Sequence, residues 1–399
     1  MNNKSESLSA HITVRIHEID IIRGLALWGI LVVNMALFSF PALYMDQSAF
    51  WDGNLDQWSI KLIYFFGEGK FISVFSFLFG LGFTIFMKGA QVKTSQPKKL
   101  FSRRLFILLI IGLIHGYFIW YGDVLLFYSF LGFLLMFFWN SKPQRLLSWA
   151  FYLLIIPVIL FIIGGLLFEN AFNAENADLV NIKKELALTA IQNYQSRDLS
   201  LIFQQNLQDL MQTRLGYLSI TPQIFAMFLL GAYAGVRKIF DNLKEHESFI
   251  RNVQIGALII GLPICVASIL YLDQPVTSFS YNFMQVVGTY IAGPTLGIFY
   301  ICSALLLLRN ENWKKILKPF SALGRMAATN YLLQSILCLF LFSGVGFALY
   351  SKVSPILTLL MSLIIIVFQL LISNLWLKYF KSGPVEWLWR YLTYKNCSK

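Results

Sequence analysis

The chain is predicted to be an all-α polytopic membrane protein, a bundle of about ten transmembrane helices with both termini in the cytoplasm. Three observations carry this reading. Residues are 57% hydrophobic and only 13% charged, with mean hydropathy +0.64. Apolar stretches long enough to cross a bilayer recur from end to end, and basic residues fall in alternate connections.

The spans fall at about 24–42, 68–88, 104–121, 123–140, 146–168, 221–237, 252–272, 286–308, 326–350 and 354–378. On this division 25 of the 32 Lys and Arg residues lie on one side, from Lys4, Arg15 and Arg23 to Lys395 and Lys399. The other side holds Asp46, Asp52, Asp56, Asp123 and Asp273. The positive-inside rule makes the basic side cytoplasmic. The net charge of +12 is therefore topological, and no nucleic-acid partner is inferred from it. The bilayer is the partner that composition names; oligomeric state is left open.

Residues 1–23 form a cytoplasmic leader without a small-x-small cleavage pattern, so the first span stays attached. Residues 24–168 make an amino-terminal five-span half. Residues 169–220 form the one large outer connection. Leu179, Ile182 and Leu186, then Phe203, Leu207, Leu210, Met211, Leu215 and Leu218, keep helical spacing there. Two amphipathic helices are expected, as a surface connector or a lid. Residues 221–380 supply five more spans. Residues 381–399 carry Pro384, Glu386, Trp387, Trp389 and Arg390, the pattern of a short interfacial helix with a Glu386–Arg390 pair. The four cysteines form no CxxC pair, so neither zinc nor a disulfide is expected.

Polar groups inside the spans are the candidates for chemistry. Asn34 and His115 each follow an arginine, Arg23 and Arg104, by eleven residues. Eleven helical residues rise roughly 16.5 Å and return to within about 20° of the starting direction. Both groups would then sit at one depth near mid-bilayer. His115 is the only histidine within a span, and an imidazole can act as general base near neutral pH. Helix–helix hydrogen bonding explains either residue as well. Asp123, eight residues on, reads as an acid of an outer pocket that reaches His115 only if the helix end bends. Glu68 and Lys70, each preceded by glycine, either orient a polar acceptor or neutralise one another. Asn330 and Gln334 stack at i,i+4 above Arg325, lining a slot from the cytosol or joining helices.

The ordered pattern Asp20-x-x-Arg23-Gly24, Asn34, Gly69-Lys70-Phe71, Arg103-Arg104, His115, Gly122-Asp123, Gly324-Arg325-Met326, Thr329-Asn330-Tyr331 and Gly383-Pro384-x-Glu386-Trp387-Leu388-Trp389-Arg390 resembles the YeiB-like bacterial membrane proteins. Their carboxy-terminal half is catalogued as domain of unknown function 418. That family is distantly similar to the transmembrane acyltransferases, which include heparan-glucosaminide N-acetyltransferase. The resemblance implies a location in the bacterial inner membrane and a catalytic role for Asn34. The heparan enzyme's histidine has no counterpart here, where Met45 stands in that region; His115 is the candidate to replace it.

The resulting expectation is an acyltransferase. Acyl-CoA binds from the cytosol through Arg23, Arg103, Arg104 and Arg325, with the thioester passing Asn330 and Gln334. His115 acts as base and Asn34 as oxyanion donor, while Glu68, Lys70 and Asp123 bind a small-molecule or glycan acceptor. The alternative is a transporter or flippase of a small polar or lipid-linked metabolite, with the same groups as binding or proton-relay sites.

Overall fold

A computed structural model describes residues 16–167, 177–275 and 278–395, with side chains from residue 181 onward in the second segment. Lys4, His11, Arg15, Asn176, Cys397 and Lys399, and the side chain of Leu179, lie outside the described residues. Among those described there is helix and no strand.

The chain opens with α1 (His17–Ser39), a short α2 (Gln47–Phe50), α3 (Asn54–Phe66), α4 (Lys70–Lys93) and α5 (Pro97–Phe118). It continues with α6 (Leu125–Leu135), α7 (Pro143–Leu167), α8 (Ala177–Gln195), α9 (Leu199–Val236) and α10 (Glu247–Leu270). It ends with α11 (Phe279–Val287), α12 (Gly293–Leu307), α13 (Glu311–Arg325), α14 (Ala327–Phe342), α15 (Pro355–Tyr379) and α16 (Pro384–Tyr394). Eight helical segments of the described chain are long and apolar enough to cross a membrane, α3 with α4 and α11 with α12 each counting as one. A ninth arises if α13 and α14, bent by 80° at Met326, count as one span.

Several expected boundaries move. The first helix starts at His17, so Arg23 lies inside it and not in a leader. The fourth span, expected at 123–140, is only α6 plus a 3-10 turn through Phe138, too short to cross a hydrocarbon core unaided. The ninth, expected to run to 350, stops at Phe342. The outer connection does end in two helices, but the second does not stop at 220. It continues into the sixth span as the 38-residue α9. Its outer half turns Gln205, Asn206 and Asp209 inward and leaves Met211, Leu215 and Leu218 exposed, the reverse of a soluble amphipathic helix.

Contacts sort the connections into two ends. Glu18 pairs with Lys314 (3.6 Å), Glu247 with Arg309, and the Lys88 ammonium donates to the Gly235 carbonyl at one end. At the other, Ser351 N–H donates to Ser39 O, Ile356 N–H to Asp56, and Lys61 pairs with Asp273. The first helix therefore starts at the basic end, where α16 also docks against Arg104.

Two seams of glycine hold the centre. A Cβ on Gly80 would collide with the Phe228 carbonyl and one on Gly231 with that of Phe77, so α4 and α9 touch backbone to backbone. Gly24 and Gly324 do the same for α1 and α13, against the carbonyls of Phe320 and Asp20. Small residues permit this approach where apolar burial gives helices no reason to prefer each other over lipid. Gly82, in the same Gly80-Leu81-Gly82 segment, meets nothing within 4 Å. Gly231→Leu is therefore expected to lower the melting temperature of the purified protein by several degrees, as overpacking costs about 1–3 kcal/mol. Gly82→Ala should change it by no more than about 0.5 kcal/mol. Equal tolerance of both, read by thermal unfolding in detergent, would refute the seam.

Candidate functional site

One cavity of about 740 Å³ runs inside the bundle, large enough for a cofactor-sized ligand. Its basic end is lined by Arg23, Arg104, Arg325 and Arg390, with Glu386 and Trp389. Its middle is apolar, formed by Phe71, Phe75, Phe79, Leu105 and Leu108 among others. Asn34, Glu68, Gln212, Thr213, Tyr217 and Gln223 line the remainder toward the outer end.

Helix breaks build the basic end. Met326 separates α13 from α14 and leaves the first amides of α14 without intrahelical partners. Glu386 of α16 supplies the missing acceptor. One carboxylate oxygen takes the N–H groups of Ala328 (2.7 Å) and Thr329 (3.1 Å), and the other takes the Thr329 hydroxyl (2.6 Å). The expected Glu386–Arg390 pair is replaced by this cap, which leaves Arg390 facing the cavity. Trp389 donates its indole N–H to the Arg104 carbonyl (2.9 Å), and its ring lies 4.0 Å from the Arg104 guanidinium. Phe86 stacks on the same guanidinium at 5.2 Å. Among the described residues Arg104 has no ion-pair partner. Arg23 pairs with Asp20 at 3.3 Å, and Arg325 donates to the Lys381 carbonyl. Arg103 does not line the cavity.

Asn34 and Glu68 line the same cavity. A Cβ on Gly67 would lie 2.6 Å from Val33, so the neighbours of these two side chains are in contact. Both Asn34 and Glu68 face the cavity, and neither side chain hydrogen-bonds to another described residue. Lys70 does not join them. It is 2% exposed and donates to the Tyr64 carbonyl (2.8 Å), so it makes no contact ion pair with Glu68, although the two opposite charges still act on one another.

His115 does not meet Asn34. It is 1% exposed and absent from the cavity wall, with both ring nitrogens engaged. Nδ1 lies 2.8 Å from Asp123 and Nε2 2.8 Å from the Ser335 hydroxyl. The helix bends back earlier than Gly122. It stops at Phe118, and the N–H groups of Ile119 and Trp120 both donate to the His115 carbonyl. Gly112 and Gly116 admit the returning chain: a Cβ on Gly112 would lie 2.6 Å from Leu126 N, and one on Gly116 3.3 Å from Asp123 Cβ. Asp123 is thus the partner of His115 rather than an outer-pocket acid; its second oxygen accepts the Leu126 N–H. Tyr331, whose ring lies 5.2 Å from the imidazole, separates this group from the cavity.

Asn330 and Gln334 also turn away. Asn330 donates to Ser373 (2.9 Å) and Gln334 to Gln369 (2.9 Å), fastening α14 to α15. Neither lines the cavity, and among the described residues their amides join the two helices. Gln223, Arg390, Glu386 and Trp389 also line the cavity, beyond the residues the sequence pattern singles out for it. For Gln223 the signal was present, an amide inside an apolar run. For the α16 residues it was masked by their fit to a surface anchor. At the outer end Asp209 accepts from Tyr44 (2.7 Å), Tyr194 (2.8 Å) and Gln205 (2.8 Å). Burial and the Asp209 charge raise the Tyr44 hydroxyl well above its ordinary range, so it stays a donor.

These features define a multi-pass membrane protein with an internal, charge-polarised cavity. Residues 234–396 match the model of a protein family of unknown function, DUF418. The uncharacterized protein YxaH of Bacillus subtilis (strain 168) is 35% identical over 95% of this chain and 94% of its own length. An uncharacterized 39.9 kDa protein from the amylase 3' region of Bacillus acidopullulyticus is 29% identical, covering 96% of this chain and 94% of its own. The uncharacterized protein YeiB of Escherichia coli (strain K12) is 26% identical over 94% and 95%. No solved structure matches significantly. The chain belongs to the YeiB-like DUF418 family.

The geometry gives His115 a bracing part. His115→Ala leaves Asp123 and Ser335 short of a buried partner, which costs about 1–3 kcal/mol. A lowered melting temperature with ligand binding retained in the folded fraction is the expected result. Unchanged stability would contradict it.

Proposed function

We propose that the protein is an acyltransferase-like enzyme of the bacterial cytoplasmic membrane, moving an acyl group from cytosolic acyl-CoA to an extracytoplasmic hydroxyl or amine. The observation that carries this reading is the cavity with arginines at one end, apolar walls, and Asn34 and Glu68, without hydrogen-bond partners among the described residues, toward the other. Guanidinium groups suit phosphates, and the basic end is the cytoplasmic one by the positive-inside rule. The apolar walls between the arginines and Asn34 suit the uncharged pantetheine arm that joins the phosphates to the thioester. The likeness to transmembrane acyltransferases drawn from the Asp20–Arg23 and Asn34 pattern supports the same reaction.

In this reading the donor's phosphates sit among Arg23, Arg104, Arg325 and Arg390, and its thioester carbonyl lies beside Asn34. Glu68, in place of His115, takes the acceptor's proton as its oxygen or nitrogen attacks the carbonyl carbon. The C–S bond then breaks, and the proton passes to the leaving thiolate. Asn34 donates to the developing oxyanion.

A transporter or flippase reading draws on one observation, the 80° break at Met326, because discontinuous helices commonly line transport sites. Acyl-CoA binding and thiol release by purified protein separate the two. With acetyl-CoA and palmitoyl-CoA as probes, Arg104→Ala should weaken binding at least tenfold, as loss of a charged hydrogen bond costs about 1.5–3 kcal/mol. Asn34→Ala should slow turnover about 10²–10³-fold with binding unchanged. Failure of the wild-type protein to bind either donor would remove the enzyme reading.

A further inference from the structure

The carboxylate of Glu68 is held in the cavity by backbone that departs from regular helix on both sides. α3 stops at Phe66 and α4 starts at Lys70, with Gly69 between them at φ +73°, a conformation that favours glycine. Facing this turn, the chain passes through a π segment at Gly288–Ala292 before α12. A Cβ on Gly293 would lie only 3.0 Å from the Gly69 carbonyl. π segments inside helices are frequent at functional sites. Neither irregularity is needed to cross a bilayer, and together they aim Glu68 at the cavity.

Around this carboxylate the Gln223 donors are spent, while the Gln223 carbonyl oxygen and the Asn34 amide, like Glu68 itself, have no hydrogen-bond partner among the described residues. Gln223 gives its amide hydrogens to the Gly69 carbonyl (3.3 Å) and the Ser73 hydroxyl (2.9 Å). Its carbonyl oxygen accepts from no described residue. Lys70 is turned to the Tyr64 carbonyl. Tyr217 donates to the Gly122 carbonyl (3.0 Å). The other nearby cation, Arg214, is stacked on the Tyr117 ring at 5.1 Å and is not part of the wall. What faces the cavity here is a carboxyl group with a second acceptor, the Gln223 carbonyl oxygen, beside it. An anion would be repelled, and a lone hydroxyl has a single hydrogen to give. An ammonium group offers three donors and the complementary charge.

We infer that the Glu68 end of the cavity is a recognition site for a primary ammonium group carried on a small or lipid-like molecule. The site stands on its own geometry and holds whether the chain transfers acyl groups or transports its ligand. Where transfer occurs, it makes the acceptor an amine. The bound ammonium gives one proton to Glu68, the freed amine forms the C–N bond as the C–S bond breaks, and its second proton goes to the thiolate.

Hexylammonium and hexanol share one apolar chain and differ in the charged head, so calorimetry of both with the full-length protein in detergent tests the site directly. At neutral pH the wild-type protein should bind hexylammonium at least tenfold more tightly than hexanol. Glu68→Gln should reduce that preference to within about twofold while keeping hexanol binding, which also reports that the variant is folded. Glu68→Asp, which retains the charge, should keep most of the preference. Equal binding of the two probes by the wild-type protein overturns the proposal without any variant. A preference that survives Glu68→Gln overturns it as well. Acyl-CoA binding enters neither reading, so failure here is distinguishable from failure of the acyltransferase assignment.

Discussion

An ionised guanidinium inside a membrane-length helix must find a counter-charge, water or a ligand, and Arg104 is the residue on which that requirement falls hardest. It has no ion-pair partner among the described residues, and its contacts are the faces of Trp389 and Phe86. Those rings hold the guanidinium in place without neutralising it. The charge is left facing the cavity, beside Arg23, Arg325 and Arg390. Much of the surrounding architecture reads as a means of keeping this space open within a hydrocarbon-thick slab.

Keeping it open requires breaks in helices, and each break has its own satisfaction. At Met326 the exposed amides of α14 are taken by Glu386 from a different helix. At Gly69 the carbonyl accepts the Ser73 hydroxyl and a further hydrogen from Gln223. Irregular backbone at membrane depth is tolerated only where it is buried in protein or lines a cavity, and both breaks lie on the cavity wall. The glycine seams of α4 with α9 and of α1 with α13 fix the helices between which the space forms.

The fold class and most helices were legible because composition and hydropathy report directly on the solvent around a helix. The limits of helices were less legible. α9 runs straight from the outer connection into the membrane because nothing in Tyr217–Gln223 breaks a helix, and even Pro222 is accommodated within it. The site divided along physical lines. Arg23, Arg104, Arg325, Asn34 and Glu68 were recognisable as charges or amides out of place, and they do line the cavity. His115, Asn330, Gln334 and Lys70 carried the same signal but are consumed by neighbours. A sequence identifies a costly buried polar group; whether protein or ligand satisfies it depends on which helices meet. The equal spacing of Asn34 and His115 from their arginines set a depth but not a direction, and the two side chains face different spaces.

The central claim is that the arginine-lined end of the cavity binds an anionic, phosphate-bearing ligand whose uncharged arm extends toward Asn34. An experimental structure of the purified protein with palmitoyl-CoA tests it most directly. Phosphate density between Arg23, Arg104, Arg325 and Arg390, with pantetheine density along Phe75 and Phe79 and the thioester beside Asn34, is the predicted result. Palmitoyl-CoA bound elsewhere, or arginines turned out of an empty cavity, would contradict it.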